Sequence, residues 1–331
     1  MRDKVLTISV AAYNVEKYLR CTLDSLVVDD ILADIEVIVV DDGGQDGSYE
    51  IAKEYERKYP DTFRAVHKEN GGYGSTVNYS IKHAQGKYFK LLDGDDWYDK
   101  EGLVKLVNTL KNIDVDAVFT QFIIEKQDKE ITAIKFSEQN VNRIISIEGF
   151  RFNAAVPMHS ITYKTEVLRK SNVRLPEHML YTDNIYIAEP FAYVRDVYCE
   201  NYSVYYYRVG VDGQSVNKKS LIKHINESKD ISILLTKFYE TKKDKELSSI
   251  DYIEMNVAAT CVNCIVGYLA MQPSLKVLKS IIEFDNEICK ISSVIYKRMI
   301  MLDRKASRIL KVIRNTKYLF YWVVAVKNFF D

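Results

Sequence analysis

The sequence predicts an α/β protein, with a Rossmann-like sheet of parallel strands and a helical C-terminal extension. Apolar, β-branched runs alternate with helix-like segments over the first 125 residues, and the periodicity becomes helical from Ser220 onward. Continuous apolar strands between helices are typical of a buried parallel sheet with right-handed crossovers. Because ligands of such sheets bind beyond the carboxyl ends of the strands, residues at those ends are the first functional candidates.

Four strands and three helices account for the alternation. The strands are predicted over Val5–Val10, Ile35–Val40, Phe63–His67 and Tyr88–Leu92. The helices are predicted over Glu16–Val28, Ser48–Tyr59 and Ser75–Gln85. Residues 116–217 combine strands and short helices, and residues 221–239 and 252–271 begin the helical part. The division between the two parts is predicted near residues 217–220.

Composition excludes several classes of protein. Lys plus Arg and Asp plus Glu both total 46, so net charge gives no argument for nucleic acid. Cys261 and Cys264 form a CxxC without a second pair, which favours buried free thiols over zinc and is consistent with a reducing cytoplasm. The N-terminus does not resemble a signal peptide. No stretch is predicted to reach the ~20 apolar residues of a membrane span.

Three carboxylates crowd into Asp93-Gly94-Asp95-Asp96, directly after the fourth strand. Like charges this close raise the cost of ionising one another, and a cation relieves that cost. Oxygen ligands suit Mg²⁺ or Mn²⁺, and Mg²⁺ is commonly held by carboxylates together with substrate phosphates. The cluster therefore indicates a metal-bridged phosphate ligand. The alternative is a solvated acidic turn that caps the helix starting near Lys100.

Polar residues also follow the first two strands. Tyr13 and Asn14 end the first strand, and Asp41 and Asp42 end the second. Asp41 and Asp42 can accept hydrogen bonds from a uracil N–H or a ribose hydroxyl; the alternative is an ordinary Asp-Gly turn. Because the carboxyl ends of parallel strands share one edge, these residues and the acidic cluster are predicted to line one crevice.

Three motifs resemble those of the family 2 glycosyltransferases of the GT-A fold, in particular bacterial enzymes of surface-polysaccharide synthesis. They are Ser9–Leu19 (SVAAYNVEKYL), Val39–Ser48 (VVDDGGQDGS) and Leu92–Trp97 (LDGDDW). The family transfers a sugar from a nucleotide diphosphate donor to an acceptor hydroxyl, with inversion. The resemblance implies a catalytic domain over 1–218, divided into a nucleotide-binding half (1–125) and an acceptor half (126–218), and a helical region over 219–331.

The resemblance also implies which residues bind a UDP-sugar. The donor-binding residues carried over are Ala11, Tyr13, Glu16, Asp41, Asp42, Asp93, Gly94 and Asp95. Asp93 and Asp95 are the implied ligands of Mn²⁺ or Mg²⁺, which would bridge the diphosphate and stabilise the leaving group.

Inversion requires a general base on the acceptor side. In similar enzymes this base is the Asp of a Glu-Asp pair, and the matching segment here is Leu180–Tyr186, where Asp183 occupies the Asp position and Thr182 replaces Glu. Asp183 is thus the implied catalytic base; the alternative is a helix cap. The remaining acceptor-side candidates are Asp96, Trp97, His159, His178 and Arg208. For the two histidines and for Arg208 a purely structural role is the alternative.

The C-terminal segment 296–331 is strongly basic, with nine Lys or Arg residues against Asp303 and Asp331. Leu302, Ala306, Ile309, Ile313 and Phe320 are predicted to share one helical face, followed by a cluster of aromatic residues. This pattern indicates a helix lying on an anionic membrane surface. The alternative is a helix docked on its own domain or on a partner subunit.

The function predicted is transfer of a sugar from a UDP-sugar to an acceptor hydroxyl by a metal-dependent, inverting glycosyltransferase. A membrane-bound C-terminal helix would favour a lipid-linked glycan as the acceptor, at the cytoplasmic face of the cell membrane. One alternative is a sugar nucleotidyltransferase, although residues 11–16 lack its Gly-rich basic phosphate loop. Another is a non-catalytic module that binds a glycan or lipid carrier. A homo-oligomer is left open.

Overall fold

The computed structural model describes residues 3–126, 129–150, 152, 155–210, 217–245 and 249–324. The chain forms two compact units. The first, here called the sheet unit, comprises Met1–Phe150, Val156–Tyr186 and Tyr193–Val211. The second, called the helical unit, comprises Arg151–Ala155, Ile187–Ala192 and Asp212–Asp331.

The described part of the sheet unit contains a ten-stranded sheet. Its strands are β1 (Leu6–Ala12), β2 (Ile35–Asp41), β3 (Phe63–His67), β4 (Tyr88–Asp93), β5 (Trp97–Tyr98), β6 (Ala117–Lys126), β7 (Lys129–Ala133), β8 (Ile144–Ser146), β9 (Ile161–Lys164) and β10 (Asp196–Arg208). The order is β3-β2-β1-β4-β9-β6-β10-β5, with β7 on β6 and β8 on β10. β1 to β4 are mutually parallel, whereas β9 is antiparallel to both of its neighbours, β4 and β6.

Helices lie between these strands, as the sequence predicts. They are α1 (Glu16–Asp24), α2 (Ser48–Lys58), α3 (Tyr73–His83), α4 (Lys100–Asn112), α5 (Thr165–Ser171) and α6 (Asp183–Ala188). All seven residues of β2 are buried, as expected for a strand covered on both faces. The α/β fold class predicted from the sequence is therefore confirmed, although α1 ends four residues earlier than predicted, at Asp24.

Helix α4 shows how the sequence determines local packing. Asp99 caps its N-terminus, accepting a hydrogen bond from the N–H of Gly102 at 2.7 Å. Leu103, Leu106, Val107 and Leu110 are buried at the spacing of one helical face. A Cβ on Gly102 would lie 2.1 Å from the carbonyl oxygen of Ser203 in β10, so close packing of α4 on the sheet requires glycine there.

The helical unit contains α7 (Lys218–Lys223), α8 (Ile225–Lys242), α9 (Ile250–Leu269), α10 (Leu275–Ile291), α11 (Ser293–Arg298) and α12 (Lys305–Asn315). Among the described residues, only α9 has the length and composition of a membrane-spanning helix, and 83% of its apolar window is buried inside the protein. The prediction that no stretch is apolar enough to span was therefore wrong by this criterion. Cys261 and Cys264 on α9 are buried free thiols, as predicted.

Helix α12 packs within the helical unit. Ser307, Leu310 and Ile313 are its buried residues. The prediction of one apolar face containing both Ile313 and Phe320 was wrong: Ile313 is fully buried, whereas Phe320 is exposed. The helix ends at Asn315, and the chain then turns through residues of positive φ, which breaks the periodicity. The basic and aromatic residues predicted within 325–331 lie outside the described residues.

Candidate active site

The acidic turn Asp93–Asp96 is built against the end of β1. The N–H of Gly94 donates to the carbonyl oxygen of Ala11 at 2.9 Å, and a Cβ on Gly94 would lie 2.7 Å from that oxygen. The hydroxyl of Thr22 lies 2.9 Å from the carbonyl oxygen of Gly94 and 2.6 Å from that of Asp96. Only glycine fits this close approach, so the turn holds its carboxylates at a fixed place beside the first strand.

Asp96 is the buried member of the turn. Its carboxylate accepts hydrogen bonds from the hydroxyl of Tyr205 at 2.6 Å and from the N–H of Arg208 at 2.8 Å. Burial is the main cause that raises its pKa well above the usual range, followed by repulsion from Asp93 and Asp95. The structure thus ties Asp96, which the sequence placed on the acceptor side, to β10.

Asp93, Asp96 and His159 form a candidate metal centre. One ligand atom from each lies within 4.8 Å of the others. His159 lies in the short turn Met158–Ser160 directly before β9, the strand that pairs antiparallel with β4, and β4 ends at Asp93. The sequence paired Asp93 with Asp95 instead, and Asp95 is not in this group.

The donor atoms of this centre fit a divalent cation. Among the described residues, Oδ1 of Asp93 and Nδ1 of His159 are buried without a hydrogen-bond partner. Burial, followed by the charge of Lys90, lowers the pKa of His159 to about 3, so the imidazole is neutral and offers a lone pair. Carboxylate oxygens with one imidazole nitrogen suit Mn²⁺ and tolerate Mg²⁺.

Arg208 and Trp97 lie beside Asp95. The Nε of Arg208 donates to the carbonyl oxygen of Asp95 at 3.0 Å. The guanidinium group lies 5.0 Å from the ring centroid of Tyr18 and 4.6 Å from that of Trp97. Trp97 in turn stacks on Tyr206 with a centroid distance of 5.1 Å. These contacts hold a cation and a flat aromatic surface next to the acidic turn, which suits an anionic ligand and a sugar ring.

Asp183 is the first residue of α6 and belongs to the same electrostatic cluster. Burial raises its pKa to about 6, against the opposing effect of hydrogen bonds at its own and the Asn184 backbone N–H groups. Its charge raises the pKa of Asp93, for which burial and Asp95 are larger causes and whose pKa is about 8. It also raises the pKa of Tyr73. The structure therefore brings the predicted base near the acidic turn, and the backbone contacts also give it the geometry of a cap.

Asp42 holds the loop before α3. Its Oδ1 accepts from the Nζ of Lys68 at 2.7 Å, the N–H of Gly71 at 3.0 Å and the hydroxyl of Ser75 at 3.1 Å. Its Oδ2 accepts from the N–H of Gly72 at 2.7 Å. With four donors, this carboxylate is already well satisfied by the protein.

Asp41 differs from its neighbour. Its Oδ2 lies 2.6 Å from Nδ1 of His67, and among the described residues its Oδ1 is buried without a partner. A Cβ on Gly44 would lie 2.8 Å from that oxygen, so glycine leaves it room. Tyr13, at the end of β1, is 54% exposed. Asp41 is therefore the acid of this pair that retains an acceptor for a ligand N–H or hydroxyl.

Glu16 joins the loops that follow β1 and β2. Its carboxylate accepts from the N–H of Gly47 at 2.9 Å, and its own N–H donates to Asp46 at 2.9 Å. The side chain of Asn14 accepts from the N–H of Gln45 at 2.8 Å. The structure thus gives Glu16, which the resemblance placed at the donor, a role in fixing these two loops relative to each other.

His178 contacts the donor-side loop through its backbone. Its N–H donates to the carbonyl oxygen of Gly71 at 2.6 Å, and its own φ is 55°. Gly72 has φ +79° and would place a Cβ 3.0 Å from the nitrogen of His178. A Cβ on Gly74 would lie 2.2 Å from the carbonyl oxygen of Pro176. The two loops therefore pack backbone to backbone, which explains the glycines in this segment.

Two residues of the site were missed by the sequence reasoning. Lys90 is fully buried in β4 and donates to the carbonyl oxygens of His159 at 2.7 Å and Ile161 at 3.3 Å. Burial lowers its pKa to about 7. The hydroxyl of Tyr73 donates to the sulfur of Met158 at 3.2 Å. Burial, followed by the charges of Asp93 and Asp183, raises the pKa of Tyr73. A lysine inside an apolar strand was the signal that could have identified Lys90.

Comparisons with known proteins identify similar sequences and a similar fold. Residues 7–164 match the family model described as Glycosyl transferase family 2. The chain is 34% identical over 128 residues to "Putative glycosyltransferase EpsH" of Bacillus subtilis, covering 39% of this chain and 36% of that protein. It is 30% identical over 209 residues to "Minor teichoic acid biosynthesis protein GgaB" of the same organism, covering 61% and 23%. The matches thus span well under two thirds of these relatives.

The fold has a solved counterpart. The structure of S. aureus TarS residues 1–349 in complex with UDP-GlcNAc superposes with a TM-score of 0.67 at 16% identity, covering 98% of this chain and 89% of that one. At this identity the likeness shows the fold. Residues 7–164 thus match glycosyl transferase family 2, and the chain has the GT-A fold that its motifs predict.

Proposed function

We propose that the protein is a metal-dependent, inverting glycosyltransferase that moves a sugar from a UDP-sugar to an acceptor hydroxyl. The observation that carries the proposal is the group formed by Asp93, Asp96 and His159. Among the described residues, Oδ1 of Asp93 and Nδ1 of His159 are buried without a hydrogen-bond partner, and the charge of Asp183 contributes to the raised pKa of Asp93. The UDP-GlcNAc bound to the TarS structure supports a UDP-sugar as the donor.

The donor would lie along the carboxyl ends of β1, β2 and β4. The unpartnered Oδ1 of Asp41 would accept the uracil N–H, while Asp42 keeps the 68–75 loop in position. Asp93, Asp96 and His159 would hold the cation, with Asp95 as the further ligand implied by the family. When bound, the cation supplies charge stabilisation to the departing diphosphate. Arg208 adds positive charge on the same side.

Asp183 would take the proton of the acceptor hydroxyl. An inverting displacement needs a base on the face opposite the leaving group. A pKa of about 6 leaves the carboxylate about nine-tenths ionised at pH 7, and it is basic enough to accept a proton as the sugar is transferred. The hydrogen bond from the Asn184 side chain to Asp183 Oδ1, at 3.2 Å, would orient the carboxylate.

The acceptor that we propose is a lipid-linked glycan of a bacterial surface polysaccharide, used at the cytoplasmic face of the membrane. The name of the relative GgaB, a minor teichoic acid biosynthesis protein, supports a cell-surface polymer. The stacked pair of Trp97 and Tyr206 offers an aromatic surface on which an acceptor sugar can lie.

Titration calorimetry and single-turnover transfer test the proposal. UDP is expected to bind with Mn²⁺ present and to lose affinity when EDTA removes the ion. Asp183→Asn is expected to abolish transfer from a UDP-sugar while the affinity for UDP stays near that of the wild type. The matched control is Asp303→Asn, at an exposed carboxylate of the helical unit. Transfer that survives Asp183→Asn contradicts the base, and UDP binding without any metal dependence contradicts the enzyme.

A further inference from the structure

The chain after α12 contains two successive residues in a left-handed backbone conformation. Lys317 and Tyr318 have φ values of 50° and 66°, a left-handed conformation that is energetically unfavourable for non-glycine residues. The N–H of Tyr318 donates to the carbonyl oxygen of Ile313 at 2.8 Å, closing the helix end. Strain of this kind persists only where surrounding contacts impose it.

A buried carboxylate imposes it here. Asp285 on α10 is fully buried and pairs with the guanidinium of Arg314, whose Nε lies 2.9 Å from Oδ2. The hydroxyl of Tyr318 donates to the same oxygen at 2.5 Å. Arg314 also lies over the ring of Tyr296, 3.6 Å from its centroid. The end of α12 and Tyr318, three residues beyond it, are thus both fixed to α10.

The result is a cluster of exposed apolar side chains, which we call the apolar tip. It consists of Leu275, Leu319, Phe320, Trp322 and Val323. Leu319 is 81% exposed and Leu275 is 75% exposed. The two segments meet because the hydroxyl of the buried Tyr321 accepts from the N–H of Ser274, the residue before Leu275, at 3.4 Å.

The charge around the apolar tip is positive. Residues 304–324 contain six basic residues and no acidic one. Arg314 is neutralised by the buried Asp285 and Arg308 pairs with Asp303, so the excess of positive charge comes from Arg304, Lys305, Lys311 and Lys317. Lys276 directly follows Leu275 and is exposed. In a symmetric dimer through this surface, each copy would face its own patch and bring like charges together. An anionic surface is complementary instead.

We propose that the apolar tip inserts into the interface of a membrane that contains anionic lipids, with the surrounding lysines on the headgroups. Exposed aliphatic and aromatic side chains beside basic residues are the composition of interfacial anchors. The surface differs from the one the sequence predicted, because the apolar side of α12 itself is buried. The proposal deepens the membrane location proposed above and rests on the proposed function only for the lipid-linked acceptor.

Sedimentation with vesicles tests the proposal on the full chain. Wild type is expected to bind phosphatidylcholine vesicles that contain phosphatidylglycerol, and to bind pure phosphatidylcholine far more weakly. The double variant Leu319→Ser/Trp322→Ser is expected to bind about tenfold more weakly or worse. Its matched control, Ile131→Ser/Ile144→Ser, alters two exposed apolar residues of the sheet unit and should bind as wild type does. Equal binding by the tip variant and wild type, or none by wild type, overturns the proposal.

Two further measurements test separately the contribution of the lysines to vesicle binding and the insertion of the apolar tip. Lys311→Gln/Lys317→Gln should weaken binding and reduce its sensitivity to salt; unchanged binding contradicts the electrostatic part. The emission of Trp322, taken as the difference between wild type and Trp322→Phe, should shift to the blue on anionic vesicles, and an unshifted spectrum contradicts insertion. Hydrolysis of the UDP-sugar without vesicles reports the proposed activity separately, so failure of either idea is distinguishable from failure of the other.

Discussion

Asp41 and Asp42 are neighbours of the same type, and the structure predicts opposite consequences for replacing them. In Asp42→Asn, the amide cannot accept from all four of the present donors, and the ion pair with Lys68 is lost. A buried N–H left without a partner costs about 1–3 kcal/mol, and a charge-assisted hydrogen bond contributes about 1.5–3 kcal/mol. The free energy of unfolding should therefore fall by about 2–5 kcal/mol.

Asp41→Ala should behave differently. Among the described residues its Oδ2 has one side-chain partner, the half-exposed His67, against the four donors of Asp42, so its replacement should lower the free energy of unfolding less. Its Oδ1, which has no partner among the described residues, is the proposed acceptor for the uracil N–H. Loss of that hydrogen bond should weaken UDP binding by roughly 5- to 150-fold, the equivalent of about 1–3 kcal/mol. Urea denaturation measures the stability of both variants, and calorimetry with UDP and Mn²⁺ measures their affinity.

The reasoning is refuted if Asp42→Asn lowers the affinity for UDP and Asp41→Ala lowers the stability. Asp42→Asn that keeps wild-type stability and loses UDP would make Asp42 the base-reading residue and its four protein contacts incidental. Ser75→Ala serves as the second variant at the same carboxylate. It removes only one donor, and should lower stability by about 1 kcal/mol while leaving UDP affinity near wild type.

Three further predictions follow from the buried charges. Lys90→Met should weaken Mn²⁺-dependent UDP binding more than metal-free binding, because the lysine fixes the carbonyl of His159; calorimetry with and without EDTA measures both, and equal losses contradict the role. Asp285→Asn should destabilise by about 3–5 kcal/mol in urea, whereas Asp285→Leu/Arg314→Met should be nearly neutral; a double variant as unstable as the single refutes the argument from burial. The logarithm of kcat/KM should fall with unit slope below about pH 6, since Asp183 acts ionised, and a flat profile between pH 5 and 7 excludes it as the base.

The strand ends could be predicted from sequence because burial leaves a strong pattern. β2 is apolar from Val37 to Val40, and its two carboxylates, Glu36 and Asp41, lie near its two ends. The placement of the acidic turn and of Asp183 in one cluster followed from the family resemblance and could not be obtained from periodicity. What separates Asp41 from Asp42 is the direction of two successive side chains at the end of a strand, which composition does not encode.

The sequence named His159 as an acceptor-side candidate and could not place it at the metal centre, for a similar reason. It is 66 residues from Asp93, and it comes close to that residue because β9, which follows His159, pairs antiparallel with β4. The left-handed pair Lys317–Tyr318 carries no glycine or asparagine signal either, so the helical pattern was extended past the true end of α12. In both cases a tertiary contact, rather than a local preference, determines the conformation.

Holding the carboxylates of the acidic turn Asp93–Asp96 together is energetically unfavourable, and this distinguishes between a metal site and a solvated turn. Asp96 is satisfied by Tyr205 and Arg208, yet the pKa of Asp93 is raised to about 8 by burial, Asp95 and Asp183, and its Oδ1 has no partner among the described residues. A purely structural helix cap needs one carboxylate, and Asp99 already fills that position on α4. Asp93 and Asp95 repel each other beside a neutral imidazole, and a cation would relieve that repulsion, so the arrangement favours a metal-bound diphosphate over the solvated turn that the sequence left open.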